Sequence, residues 1–329
     1  MYTTIPVLLL SKLFYLIYPL IIGYCLDVIG FCVIFYLEQR GFIMEIKFTG
    51  AGKLTGAGKF IGEIRRITIP KDMVFRGNLD LSDMELTELP DLSAVTVTGD
   101  FNCSYNKLTT LNGAPKSVGG NFDCSWNPLT TLVGGPQTVG GNFCCVWCKL
   151  TTLAGAPKNI GKHFICCCNK LTTLAEGPQT VGGDFDCSWN PLTTLAGGPQ
   201  TVGGNFCCKF NKLTSLVGCP QKINGDFDCH WNDLTTLAGG PQTVGGNFKC
   251  HGNHLGSLAG GPQSVGGDFY CYDNPLASLV GLPNEICGDF ICDNQHLIRE
   301  YEKIKQTRLG IKQKGFLISL FGRLKQNMK

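Results

Sequence analysis

The stretch NFDCSWNPLTTL, Asn121 to Leu132, is one copy of a pattern that returns along the chain with a stride of 21 residues. Its cysteine recurs as Cys103, Cys124, Cys145, Cys166, Cys187, Cys208, Cys229, Cys250, Cys271 and Cys292. Phe stands two positions earlier from Phe101 to Phe290, and Leu five positions later from Leu108 to Leu297. A fixed period of this length is the mark of a repeat solenoid, here of about ten coils, in which each coil buries its apolar side only by stacking on its neighbours.

Within the copy, Phe122 and Cys124 alternate with Asn121, Asp123 and Ser125. That period predicts a short strand with Phe and Cys facing in and the polar set facing out. Asn127 follows, and Asn106, Asn169, Asn190, Asn211, Asn232, Asn253 and Asn274 share its phase. A buried amide must be hydrogen-bonded, so the column predicts a ladder serving the backbone groups left free where each strand turns. Leu129 and Leu132 add two inward residues, then come a Gly/Pro turn, an inward Val139 and the pair Gly140–Gly141.

The string F-x-C-x-x-N-x-L-x-x-L resembles the leucine-rich-repeat signature L-x-L-x-x-N-x-L-x-x-L, with Phe and Cys where that family usually carries leucines. A large Phe beside a small Cys roughly conserves the volume of each layer. The LTTLxGxP segment and the short period look most like the short bacterial subclass found in type III-secreted effectors. The GxP–VGG–FxCSxN repeats are also similar to those of phage and bacterial proteins. The resemblance spans residues 81–297. It implies a leucine-rich-repeat horseshoe with a parallel β-sheet on the concave face and a short non-helical convex side, since Gly and Pro disfavour long helices. Cys148 and Gln295 replace the ladder Asn in two coils.

Nineteen cysteines suggest a disulfide framework at first sight. Ten in one column argue otherwise, because side chains on adjacent parallel strands point the same way about 4.8 Å apart, whereas a disulfide needs converging Cβ atoms. Free thiols used as small buried hydrophobes, and a reducing compartment, are the expectation. The net charge of +3 gives no global case for nucleic acid.

The outward phases carry the candidate partner-binding residues. All four tryptophans fall two positions after the ladder Cys, as Trp126, Trp147, Trp189 and Trp231, joined there by Tyr105 and Phe210. Beside them run Asp123, Asp186 and Asp228, then Lys249 and Tyr270. Aromatics in an exposed row are anchors for protein partners. The competing reading is that each ring folds over its own turn and covers the Asn ladder. His230 and His251 share a phase and are expected as solvated side chains.

No metal, cofactor or catalytic site is expected. Cys144, Cys148, Cys167, Cys168 and His163 cluster in two coils, but their phases point them in different directions, and zinc wants ligands that converge tetrahedrally. Residues 47–62, KFTGAGKLTGAGKFIG, imitate a phosphate loop, yet Phe60 stands where Ser or Thr should bind Mg²⁺. A short Gly-rich β element is the expectation there. No nucleophile–base–orienter set is legible.

The ends leave the pattern. Residues 1–43 are apolar, and 13–37 contain one charge, Asp27, over a length that can span a bilayer. Basic residues after that segment would then keep the repeats in the cytoplasm. Alternatively, translation starts at Met44 and the product is a soluble cytoplasmic protein. Residues 44–80 read as a Gly-rich N-terminal cap and 298–329 as a basic amphipathic helical C-terminal cap, with contact to an anionic membrane as the alternative for the latter. The expected function is a non-enzymatic protein-binding module of unknown partner. The alternative is a structural or scaffold element of a phage or bacterium, with a membrane-anchored scaffold as one form of it.

Overall fold

The computed structural model describes residues 74–310 together with the backbone of three strands, Phe31–Gln39, Phe42–Leu54 and Phe60–Thr68. The three strands form an antiparallel sheet with the middle one in the centre. The Gly-rich stretch 47–62 thus lies largely in a β-hairpin. The last part of the apolar segment, 31–37, is strand and not helix. Its preceding part, and residues 311–329 of the basic segment, lie outside the described residues. Among those described, no helix is long and apolar enough to cross a membrane.

Beyond this hairpin the chain is a parallel β-solenoid, and it divides into two compact units, Met1–Gly182 and Gly183–Lys329. In the first unit the Phe–Cys positions form the ladder Leu79–Asp80, Phe101–Asn102, Phe122–Asp123, Phe143–Cys144 and Phe164–Ile165. Each residue is paired in parallel with its equivalent one coil on, as in Phe101↔Phe122 and Phe122↔Phe143. The second unit repeats the arrangement from Phe185–Asp186 to Phe290–Ile291. The 21-residue parallel coils fit the leucine-rich-repeat architecture.

The core of the inner coils is Phe, Cys, two Leu and a Val or Ile, all nearly inaccessible to solvent, whereas Phe290 and Ile286 of the last coil are partly exposed. Neighbouring phenylalanine rings pack together, tilted at 33° with centroids 4.9 Å apart for Phe122–Phe143 and stacked at 5.1 Å for Phe248–Phe269. Each such ring contributes about 1.5–3 kcal/mol by burial. All 17 described cysteines are free, and those of the column are buried. Several column thiols donate to the backbone carbonyl of the next coil, as Cys124 does to Cys144 O at 3.5 Å.

The far side of the coil is more regular than its Gly/Pro content predicts. The Ser/Thr–Val positions form a second parallel ladder of two-residue strands, exemplified by Ser117–Val118 against Thr138–Val139. The double glycines allow it. A Cβ on Gly140 would lie 2.4 Å from the Gly119 carbonyl oxygen, and one on Gly141 2.5 Å from Asn121 Oδ1. These positions need Gly for close approach of neighbouring coils, not for a positive φ.

Two side-chain ladders tie the coils together. Asn127 Nδ2 donates to Cys103 O and Cys124 O, both at 3.0 Å, and its Oδ1 accepts from Leu108 N at 3.0 Å. Asn211, Asn232 and Asn253 repeat this in the second unit. A second ladder runs through the residue before each Phe. Asp100 Oδ1 accepts from Asn121 N at 2.7 Å, and Asn121 Oδ1 from Asn142 N at 2.9 Å. Asn205, Asp226, Asn247 and Asp268 continue it in the second unit.

At the C-terminal end a helix covers residues 295–310. Asn294 Oδ1 accepts from His296 N at 3.0 Å and caps it. Leu297 and Tyr301 are buried, and Tyr301 stacks on Phe290 with centroids 4.5 Å apart. Arg308 donates to Pro283 O at 2.8 Å. This helix closes the apolar end of the last coil.

Candidate functional site

The strand of each coil ends in a bend, and the residue at that bend lies two positions after the ladder Cys. Its backbone is left-handed throughout: φ is 54° at Tyr105, 55° at Trp126, 53° at Trp147, 55° at Trp189, and 51° at Phe210 and Trp231. Cys168, Gly252 and Asp273 occupy the same phase with φ of 58°, 64° and 51°. This conformation costs an L-residue about 1–2 kcal/mol, and Gly, Asn and Asp adopt it most easily. The backbone pairing fixes it, since each bend N–H donates to the next coil, as Trp126 N does to Val146 O at 2.9 Å.

The rings stack on one another from coil to coil. In the first unit Tyr105 stacks on Trp126 at 5.4 Å and Trp126 on Trp147 at 5.2 Å, with interplanar angles of 10° and 18°. In the second unit Trp189 stacks on Phe210 at 4.2 Å, and Phe210 is followed by Trp231 at 6.4 Å in a nearly parallel plane. Tyr105 and the four Trp remain 44–57 % exposed. Because neighbouring faces are turned to one another, the exposed part of a stacked ring is chiefly its edge.

The charged candidates divide. Asp123 and Asp186 each accept from the N–H two residues on, Ser125 and Ser188, at 2.9 Å. They shape the bend as well as facing outward. Asp228 is buried. It pairs with His230 Nδ1 and lies 4.0 Å from Lys209 Nζ. Lys249 Nζ donates to Asp226 Oδ2 at 3.0 Å, and the Tyr270 hydroxyl to Asp268 Oδ2 at 2.9 Å. Register sets Asp228 beside Lys249, and Lys249 beside Tyr270.

The two histidines are not solvated. His230 stacks on His251 at 4.4 Å, and His251 on Tyr272 at 4.4 Å. His251 is buried, and its Nδ1 has no hydrogen-bond partner. Burial and the neighbouring His230 push its pKa down to about 4.

Cys207 sits opposite Asp228, but burial, then Asp186, push its thiol up to about 11, so it is not poised as a nucleophile. Among the described residues, no three His, Cys, Asp or Glu side chains are grouped to hold a metal ion. Cys148 points inward at the ladder position, whereas Cys168 lies at the bend.

No family model matches the chain, and no curated protein does. Among solved structures, YopM from Yersinia enterocolitica WA-314 is similar, at 17 % identity and a TM-score of 0.37. The match covers 65 % of this chain and 64 % of that one, so the chain spans less than two thirds of its length.

Proposed function

We propose that this chain is a non-enzymatic protein-binding module and that its partner docks on the strand face along the aromatic stacks. Repeat solenoids offer extended ladders of side chains that are typical of binding scaffolds. The observation that carries the reading is backbone strain. Six aromatics occupy a left-handed position where Gly252 shows that glycine fits, and five of them, Tyr105 and the four Trp, stay about half exposed. Strain retained at an exposed position points to function. Large aromatics with solvent-facing edges are also the side chains that anchor protein interfaces.

The test replaces Trp126, Trp147, Trp189 and Trp231 by Ala together and measures partner capture and the melting temperature. Loss of capture with a near-native melting temperature supports the proposal. A collapse of the melting temperature would make the stacks a structural device and remove the basis for the site.

A further inference from the structure

We propose that the second unit carries a separate binding site, a groove on its Ser/Thr–Val ladder that takes a short peptide of about four residues with both ends free. The peptide carboxylate sits at Lys222 and its ammonium at Glu285. The site lies on the other ladder from the aromatic stacks and does not depend on the partner proposed for them.

The strands Lys222–Ile223, Thr243–Val244, Ser264–Val265 and Glu285–Ile286 form one four-stranded parallel sheet. Lys222, Thr243, Ser264 and Glu285 pair coil by coil in a single column. Two positions on, the column reads Asn224, Gly245, Gly266 and Cys287. Gly119, Gly140, Gly161, Gly182 and Gly203 hold this phase in the earlier coils, so Asn224 and Cys287 put side chains into a column that is otherwise bare backbone. Between them lies a groove of about 260 Å³ over the two glycines, with Lys222 at one end and Glu285 at the other.

The groove is polar and uncharged in the middle and opposite in charge at its ends. Thr243 and Ser264 supply hydroxyls. Ser117 and Thr138, at the same phase in the first unit, hydrogen-bond to each other at 2.7 Å. No such bond occupies the Thr243 or Ser264 hydroxyl among the described residues. The carbonyl oxygens of Asn224 and Gly245 lie 2.1 and 2.2 Å from where a Cβ of the next coil's glycine would stand. They therefore reach the groove floor, and no backbone N–H of the described residues takes them. A ligand with N–H donors along its length and opposite charges at its ends complements this surface.

Length selects the ligand. Three ladder steps of about 4.8 Å separate Lys222 from Glu285, about 14 Å in all. An extended peptide advances about 3.3 Å per residue, so four residues span about 13 Å. A single amino acid reaches only one end, and an internal segment of a folded protein has neither free end.

The test measures binding of tetra-alanine to the full chain by isothermal titration calorimetry. Its N-acetyl and C-amide forms are controls, as is ω-aminododecanoic acid, which has the same end charges and no amides. Tetra-alanine is expected to bind, and blocking either end to weaken it about fivefold. Lys222→Glu and Glu285→Lys each lose as much, while the two together restore binding, because the peptide turns round. Ser264→Tyr fills the groove and abolishes binding. Its column already carries Lys and Glu, so the fold is kept, and the charge exchange carries the test should this variant melt early. No binding of tetra-alanine at millimolar concentration would overturn the site. So would equal binding of free and blocked peptides, or of tetra-alanine and ω-aminododecanoic acid. Binding that survives in a folded Ser264→Tyr variant would overturn it too, as would binding lost in the quadruple Trp→Ala variant, since the peptide would then lie elsewhere. Tetra-alanine binding kept in that Trp variant supports the groove whether or not protein capture is lost, so the two proposals fail separately.

Discussion

Asn127 Oδ1 accepts the backbone N–H of Leu108, one coil back, at 3.0 Å, while its Nδ2 serves two carbonyls at once. One amide therefore satisfies three buried backbone groups that the bend leaves without a ladder partner. An unsatisfied buried group costs about 1–3 kcal/mol, so Asn127→Ala is expected to destabilise by about 3 kcal/mol or more. Urea denaturation checks this, and a change below about 1 kcal/mol would show that water replaces the amide.

The converse substitution is available at Cys148. Its thiol lies 3.5 Å from Cys124 O in the place of a ladder amide, and it has no carbonyl oxygen to offer the Leu129 N–H. Cys148→Asn restores both halves of the interaction and is expected to stabilise by about 0.5–2 kcal/mol, as repairs toward a repeat consensus do. A lowered denaturation midpoint would mean that this coil has repacked around sulfur.

The glycine pairs make a third prediction. Gly140 has no positive φ, so conformational freedom does not explain it, and a methyl group there would sit 2.4 Å from the Gly119 carbonyl oxygen. Gly140→Ala must push two coils apart and is expected to cost about 1–3 kcal/mol. Thermal melts decide it. A neutral result would show that the second ladder separates freely while the Phe–Cys ladder holds.

The columns legible in the sequence are those where period and geometry coincide. Phe122, Cys124, Asn127, Leu129 and Leu132 each do one thing in nearly every coil, so their spacing predicts their place. The bend conformation was less accessible, because Trp126 does not announce a left-handed backbone. Only Gly252 and Asp273 at the same phase hint at it. The ladder through Asn121 and Asp226 carries a clearer signal, Asn or Asp before nearly every Phe, but alternation alone assigns these residues simply to the outward set. Burial of His251 arises from His230 and Tyr272 in the adjoining coils. No pattern within one coil encodes it.

Thiol reactivity follows from burial. Burial raises the pKa of Cys103, Cys124, Cys145, Cys208 and Cys229 well above the usual thiol range. They are expected to resist iodoacetamide at pH 8 until the chain unfolds. Among the described cysteines Cys287 is the exposed one and is expected to react first. Cys292, brought down to about 7 by the Cys271 thiol that donates to it, follows as the last coil opens. Peptide mapping after a timed label reads the order. Early labelling of Cys124 would show that the column is open to solvent.

His251 gives the fold a pH dependence whose sign can be stated. Its ring is held between His230 and Tyr272, with Asp228, Asp273 and Lys249 as the other charged groups around it. Burial first, and then His230, lower its pKa from 6.5 to about 4. The unfolded chain takes up the proton near pH 6.5 and the folded chain only near 4. Stability is therefore fully present above 6.5, declines as the pH falls through that interval, and loses this contribution below it. Carboxylates with depressed pKa, such as Asp226 and Asp268, act at lower pH. The interval between 6.5 and 4 is the one in which the His251 contribution changes. Tyrosine suits the position, as Tyr272 occupies it one coil on. His251→Tyr is expected to keep the fold and flatten the melting temperature across this range. A slope unchanged in that variant would assign the dependence to other groups and leave His251 neutral without consequence.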